Sequence, residues 1–508
     1  MRKNDPSLVE SIILQPMERW KKNPVIYEIN TWVWLYEMGR QMQFPINLAN
    51  VPGEKWDELA HLNIDAVWFM GVWERSPRGI AVSNLNSGNL ADFRRALPDF
   101  CFEDNVGSPY CVKRYAVDVE LGGDKGLAIA RAQLARRGIR LILDFVPNHM
   151  APDHRWVDES PDYFITGNRE DLRDDPATYV QINGNIFACG KDPNYPAWQD
   201  VLQVNAFHPG LREAAIETAT GIANQCDGVR CDMAMLLMND VFERTWGKRA
   251  GPKPELEYWE ELIPAIKRTN CEFIFIAEAY WDLEWALQQQ GFDYCYDKRL
   301  YDRLEHDSAP EIRLHLLADP VYQSKMIRFI ENHDEPRHVV AFQPGKNRAA
   351  TVISSTLPGA RLYHEGQFDG RKVKLPVFLR RRPDEPVDFE LRAFCQRLLL
   401  AITHPVFHEG VWQLCECHGW PGNTSYENLL SWCWWDGDDR FLIVVNYSSM
   451  TVQGRVLLPG NDLRRRNWRL NDALSEVTFE RNGDEMHDPG LYVALAPWNY
   501  HFLRFYLV

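Results

Sequence analysis

Four short stretches of the chain set acids, histidines and an arginine at the ends of apolar runs: DFVPNH (144–149), GVRCDMAM (228–235), IAEAYW (276–281) and FIENHD (329–334). A carboxylate inside an apolar strand is costly to bury unless it is paired or used. Each acid alone is equally well explained as one half of a structural ion pair. Asp232, Glu278 and Asp334 at the ends of successive strands are harder to explain that way, and the set is more specific than its members. Arg230 and Asp232 stand two apart, so in a strand both side chains face the same way. Such a set suits cleavage of a glycosidic bond with retention. One carboxylate attacks the anomeric carbon while a second, about 5 Å away, protonates the departing oxygen. That second group must stay protonated near neutrality, which requires a raised pKa.

The elements that would carry these residues alternate along the chain. Apolar runs of strand length occur at 24–30, 66–72, 140–146, 228–235, 273–281, 292–297, 326–334 and 360–367. Segments of helical period separate them; in 124–138, Leu127, Ala130 and Leu134 share one face and Gly138 ends the helix. Near-continuous apolar strands between helices imply a parallel sheet covered on both sides. Eight such units predict a (β/α)8 TIM barrel, although an open doubly wound sheet has the same period. The connection after the third strand is oversized and rich in Asp, Pro, Asn and Gly, as expected of an inserted subdomain. From about residue 410 the pattern becomes short strands between turns, which predicts a C-terminal antiparallel β-sandwich. The expected division is therefore 1–150 and 209–409 for the barrel, 151–208 for the insertion and 410–508 for the β-domain.

Bulk properties narrow the partners. The formal charge is −15 with no basic cluster, which disfavours nucleic acid and leaves a small molecule or oligosaccharide as the expected partner. No stretch approaches the roughly 20 apolar residues of a membrane helix. The 11 cysteines are odd in number and lack CxxC spacing, which argues against a disulfide framework and a zinc site. The first 20 residues show no export-signal pattern, so a cytoplasmic location is expected. Nineteen tryptophans give mild support to a sugar ligand, whose C–H faces pack on flat rings.

Taken together and in this order, the four stretches resemble the four conserved regions of the α-amylase family of glycoside hydrolases, and the resemblance spans essentially the whole chain. It implies Asp232 as nucleophile, Glu278 as general acid/base and Asp334 as transition-state stabiliser. It further implies that Arg230 orients the nucleophile and that His149 and His333 hydrogen-bond the sugar. Tyr110 takes the place of a tyrosine that stacks on that ring, although its surroundings read SPYC where the family has a glycine-containing pattern. Two departures stand out. Met235 and Leu236 replace the Lys and His of many starch-degrading members, which speaks against ordinary endo-acting amylase behaviour. Asn148 matches a calcium-ligand position, but Gln203 stands where calcium-binding members carry an aspartate, so no metal or other cofactor is expected to be required. Trp156, Tyr163, Phe164, Trp198, Tyr280, Trp281 and Trp285 are candidate sugar platforms.

The resemblance implies a retaining enzyme acting on maltooligosaccharides or short α-glucosides through a covalent glucosyl-aspartate. Transglycosylation and phosphorolysis use the same acids and remain open. Two readings outside that chemistry are a carbohydrate-binding barrel without turnover, disfavoured by the presence of all three acids, and a metal hydrolase using His149, Asp232 and His333. The latter lacks an HxH motif at the first strand.

Overall fold

Eight of the apolar segments are strands of one sheet: β1 (Val25–Asn30), β2 (Ala66–Met70), β3 (Arg140–Phe145), β4 (Gly228–Cys231), β5 (Ile274–Ala277), β6 (Tyr294–Tyr296), β7 (Met326–Arg328) and β8 (Ala360–His364). They pair in parallel in the cyclic order 1-8-7-6-5-4-3-2, so the sheet is a closed barrel rather than an open one. This computed structural model describes residues 19–460 and 462–508. Residues 1–18, which hold most of the N-terminal stretch considered above and the start of the 1–150 segment, lie outside the described residues.

The barrel strands are apolar because both faces are covered. In β3, Leu141, Ile142 and Leu143 are fully buried, and each such side chain stabilises the fold by about 1.5–3 kcal/mol. Helices start where the sequence supplies caps. Asn30 accepts from the Val33 amide at the start of the helix Thr31–Met42, and His208 with Pro209 opens the helix Pro209–Ala223. Gly359, with φ +99°, turns the chain into β8; a Cβ there would lie 2.1 Å from the Met326 carbonyl oxygen.

The strands are shorter than the apolar pattern predicts, most of all β4, β5 and β7. Each ends before its acid, so Asp232, Glu278 and Asp334 sit on the loops that follow. The backbone still holds two of these positions tightly. Asp232 N–H donates to the Phe145 carbonyl and Glu278 N–H to that of Cys231.

The connection after β3 carries a four-stranded antiparallel sheet, which includes His149–Met150 and Trp198–Gln203, over a small apolar core of its own. Missed from the sequence is a second excursion after β2. There the antiparallel pair Trp73–Arg75 and Val112–Val117 encloses the helices Pro77–Leu85 and Ser87–Ala96. At the C-terminus a six-stranded and a three-stranded antiparallel sheet follow the helix Phe389–Ile402. Trp434 anchors the larger sheet to the barrel, its indole N–H donating to the Thr356 carbonyl at 2.7 Å.

Candidate active site

Arg230, on β4, points into the mouth of the barrel and is almost fully buried. Its guanidinium is bounded by the rings of Trp68, Tyr110 and Tyr296 at 5.1–5.7 Å, which keep water away from it and favour the cation. All three predicted acids converge on this one group. Asp232 Oδ1 lies 2.6 Å from Nη1, Glu278 Oε2 2.9 Å from Nη2, and Asp334 Oδ2 3.8 Å from Nη2. Residues more than 100 positions apart in the chain thus share one cation.

Glu278 is further fixed from two sides. The Met233 amide donates to Oε2 at 2.6 Å and the Tyr280 hydroxyl to Oε1 at 2.9 Å. Met233 can do this because it takes up a left-handed backbone conformation (φ +46°) directly after Asp232, turning its N–H back toward β5. A non-glycine residue in that region is strained, and such strain gathers at functional sites.

Both buried acids beside Arg230 are shifted upward. Burial pushes the Glu278 carboxyl up; Arg230 pulls it down, and the negative charges of Asp232 and Asp334 push it up again, to about 7. Burial also raises Asp232, against the pull of Arg230 and its short hydrogen bond. Glu278 is thus poised to hold a proton near neutrality, and the contact with Arg230 favours the charged form of Asp232. Asp334 is the reverse case. Burial raises it, but His333 beside it and Arg230 draw it far below the usual carboxylate range.

His333 is raised to about 10. Burial opposes its charge, and Asp334 at 2.9 Å from Nε2 and Glu28 at 2.5 Å from Nδ1 outweigh that. The Tyr110 hydroxyl lies 2.6 Å from the same Nε2 and its ring is tilted against the imidazole, so Tyr110 belongs to the pocket. His149 lies across the cavity on the excursion sheet, with Nε2 3.9 Å from Asp232. Burial lowers its pKa to about 4, so it is neutral; Asn148 Nδ2 donates to Nδ1, and the ring is also hydrogen-bonded to the Tyr110 backbone.

All seven predicted site residues are thus brought together. A cavity of about 360 Å3 is lined by five of them, Tyr110, His149, Asp232, Glu278 and Asp334, together with Trp198 and Asp200. A second cavity of about 580 Å3 shares Trp198, Met233 and Tyr280 with it and adds Trp281. Of the other proposed platforms, Trp156 and Phe164 are core residues of the insertion, and Trp285 is half-exposed against Tyr322, outside both cavities. The rest of the stretch 329–337 is structural. Glu331 pairs with Arg337 and His338, Asn332 accepts from the amides of Asp334 and Glu335, and Glu335 pairs with Lys298.

Sequence reasoning missed Glu28, Trp68 and Tyr296, which hold His333 and Arg230. Glu28 carried the same signal as the recognised acids, a charge in the apolar run VIYEIN. No local signal marks Trp68 or Tyr296, because an aromatic residue in a barrel strand is ordinary packing.

The Asn148 position does not fit a calcium ion. Gln203 Nε2 donates to Asn148 O at 2.8 Å, to Asn148 Oδ1 at 3.0 Å and to Val204 O at 3.1 Å, so an amide already engages the oxygens a cation would need. Among the described residues no group of three or more His, Cys, Asp or Glu side chains is arranged to hold a metal.

Fold and site together define a (β/α)8 barrel whose carboxyl-end loops gather three carboxyl groups about one arginine. Residues 53–306 match the family described as alpha amylase, catalytic domain. The chain belongs to this α-amylase family of glycoside hydrolases. It is 24% identical over 373 residues to alpha-amylase MalA of Haloarcula japonica, a match covering 70% of this chain and 45% of that protein. It is 21% identical over 396 residues to alpha-amylase 3 of Dictyoglomus thermophilum, covering 72% and 68%. The chain thus spans less than half the length of the first of these relatives. In structure it resembles the noncanonic maltogenic alpha-amylase AmyB from Thermotoga neapolitana, with a TM-score of 0.68, 18% identity, and coverage of 96% of this chain and 99% of that one. At that identity the likeness bears on the fold. No helix among the described residues is long and apolar enough to cross a membrane.

Proposed function

We propose that the protein cleaves α-glucosidic bonds of maltooligosaccharides or short α-glucosides with retention, through a covalent glucosyl–Asp232 intermediate. The observation that carries this reading is the single guanidinium of Arg230 bonded to both Asp232 and Glu278. Two carboxyl groups gripped by neighbouring nitrogens of one group belong to the close class, about 5–5.5 Å apart, rather than the wider class that admits a water between them. In this reading Asp232, held ionised by Arg230, attacks the anomeric carbon. Glu278 gives its proton to the departing oxygen and later takes one from the acceptor. Asp334 and His333 grip ring hydroxyls as positive charge develops, and His149 lines the pocket beside them. No metal or cofactor enters any step.

Transfer to a sugar acceptor is the second reading, supported by the cavity of about 580 Å3 that adjoins the acids beyond Met233 and Tyr280. It is large enough to hold an acceptor next to Glu278. A cytoplasmic setting would suit the eleven cysteines, all of them unpaired.

The test is a product time course on maltoheptaose followed by NMR, with Asp232→Asn as the control. The α-anomer should appear first, and the variant should be slower by about 10⁴-fold or more, as when a covalent nucleophile is lost. Initial β-anomer, or an unimpaired variant, would overturn the assignment.

A further inference from the structure

The insertion places one acid in the wall of the catalytic cavity that the chemistry above does not use. Asp200 stands in the strand Trp198–Gln203 and lines that cavity together with His149 and Trp198. The strand is irregular at this point. Cys189 pairs with Leu202 and the next residue, Gly190, with Trp198, so Gln199, Asp200 and Val201 have no partners across that step. Bulges of this kind re-aim side chains and are frequent beside active sites.

The backbone around Asp200 is firmly held. Val201 is buried against Cys111 and Ala151, and the Cys111 thiol donates to the Asp200 carbonyl at 3.0 Å. A Cβ at Gly190 would lie 3.1–3.2 Å from His149, Val201 and Trp198, so a glycine lets the bulge settle this close.

The carboxylate, by contrast, is left to itself. Among the described residues it makes no ion pair, and the one backbone N–H that faces it is its own. Burial raises the carboxyl above its usual range, against the pull of that amide and of His149. The ionised form therefore costs the fold stability with no protein partner to offset it. A fixed backbone carrying an unpaired acid into the substrate cavity calls for an explanation.

Charge narrows the class of ligand. Arg230 and His333 are already bonded to Asp232, Glu278 and Asp334, and Lys374 donates to the Asp334 carbonyl. A phosphate or carboxylate group reaching Asp200 would meet like charge, whereas a sugar hydroxyl would meet an acceptor. From this combination we infer that Asp200 is a specificity-determining residue, whose carboxylate accepts hydroxyl groups of the sugar in the catalytic cavity and selects neutral glucosides over anionic ones. The inference rests on the function proposed above and deepens it, since it speaks against phosphate as the acceptor.

The experiment is titration calorimetry of maltotriose against the full chain carrying Asp232→Asn, alone and with Asp200→Ala or Asp200→Asn added, and again in the presence of inorganic phosphate. Asp200→Ala should weaken maltotriose binding about tenfold or more, the size of a hydrogen bond to a charged group, and Asp200→Asn, which keeps one acceptor oxygen, should weaken it less. Phosphate should leave binding to the Asp232→Asn background unchanged. Denaturant unfolding supplies a readout that a structural role would move the other way. Because the folded carboxyl is raised, its ionisation destabilises the fold at neutrality, so Asp200→Asn should unfold at the same or a higher denaturant concentration. No maltotriose binding to the Asp232→Asn background, undiminished binding after Asp200→Ala, competition by phosphate, or a lowered unfolding midpoint in Asp200→Asn would overturn the proposal. Full activity of Asp232→Asn alongside the tenfold binding loss in Asp200→Ala would instead sink the catalytic reading and leave the role of Asp200 in sugar binding standing.

Discussion

Two buried glutamates, on loops about 50 residues apart, show how the molecule makes one acid reactive and another inert. Glu278 shares its single cation, Arg230, with two other carboxylates. Glu331, just past β7, has three groups to itself: Arg337 at 2.7 Å, His338 at 2.7 Å and His364 at 3.5 Å. Burial pushes both glutamates up. At Glu331, Arg337 and the two histidines more than reverse that, and the carboxyl falls well below its usual range. At Glu278 the neighbouring acids cancel much of what Arg230 supplies, and the carboxyl settles at about 7. Burial is the same in the two places; the ratio of cations to carboxylates is not. A scarcity of positive charge leaves a proton available for transfer, and an excess locks the group as structure.

The comparison can be broken most forcefully at Glu278. Glu278→Gln removes the transferable proton, and kcat on maltoheptaose should fall about 10²–10⁴-fold. In the parent enzyme the reactive form is the protonated one, so kcat/KM should decline as pH rises through about 7; in the variant that decline should vanish. A basic limb that survives the substitution would assign it to another group.

Glu331→Gln probes the other side. It leaves Arg337 buried without its partner, and denaturant unfolding near neutrality should show a loss of about 3–5 kcal/mol, the scale of breaking a buried pair. Because the folded pKa of Glu331 is depressed, its contribution is present above the ordinary glutamate range, about 4.3, and is lost as pH falls through the folded value. The variant should therefore lose less stability than the parent on acidification. An unchanged acid slope would mean that Glu331 is not the inert counterpart described here.

The smallest effect sharpens the contrast rather than breaking it. The Tyr280 hydroxyl donates to Glu278 Oε1 at 2.9 Å and so favours the charged form. Tyr280→Phe should move the basic limb of kcat/KM upward by about one pH unit, the size of a hydrogen bond to a charged group. A downward shift would show that the hydroxyl instead accepts the proton of Glu278.

Periodicity alone located all eight barrel strands, and the excess of polar residues after the third located the first excursion. The second excursion was hidden because its helices and short strands look like an ordinary strand-to-strand connection. Strand ends were placed too late at β4, β5 and β7, since apolar residues continue into loops that are themselves buried. The three acids, Arg230 and the two histidines were legible because charge in an apolar run is expensive and therefore conspicuous. Trp68, Tyr296 and the strained amide of Met233 were not, because their contribution depends on who stands opposite.

The sequence by itself determined the parts list: which side chains can ionise, which strands carry them, and that Arg230 and Asp232 share a face. It did so because those properties follow from residue type and a two-residue repeat. Only barrel closure decided that three carboxyl groups meet one guanidinium and that Glu278, and not Glu331, is short of cations. Each of these depends on distances between residues remote in the chain, and the interactions that tune an acid fall off within a few ångströms.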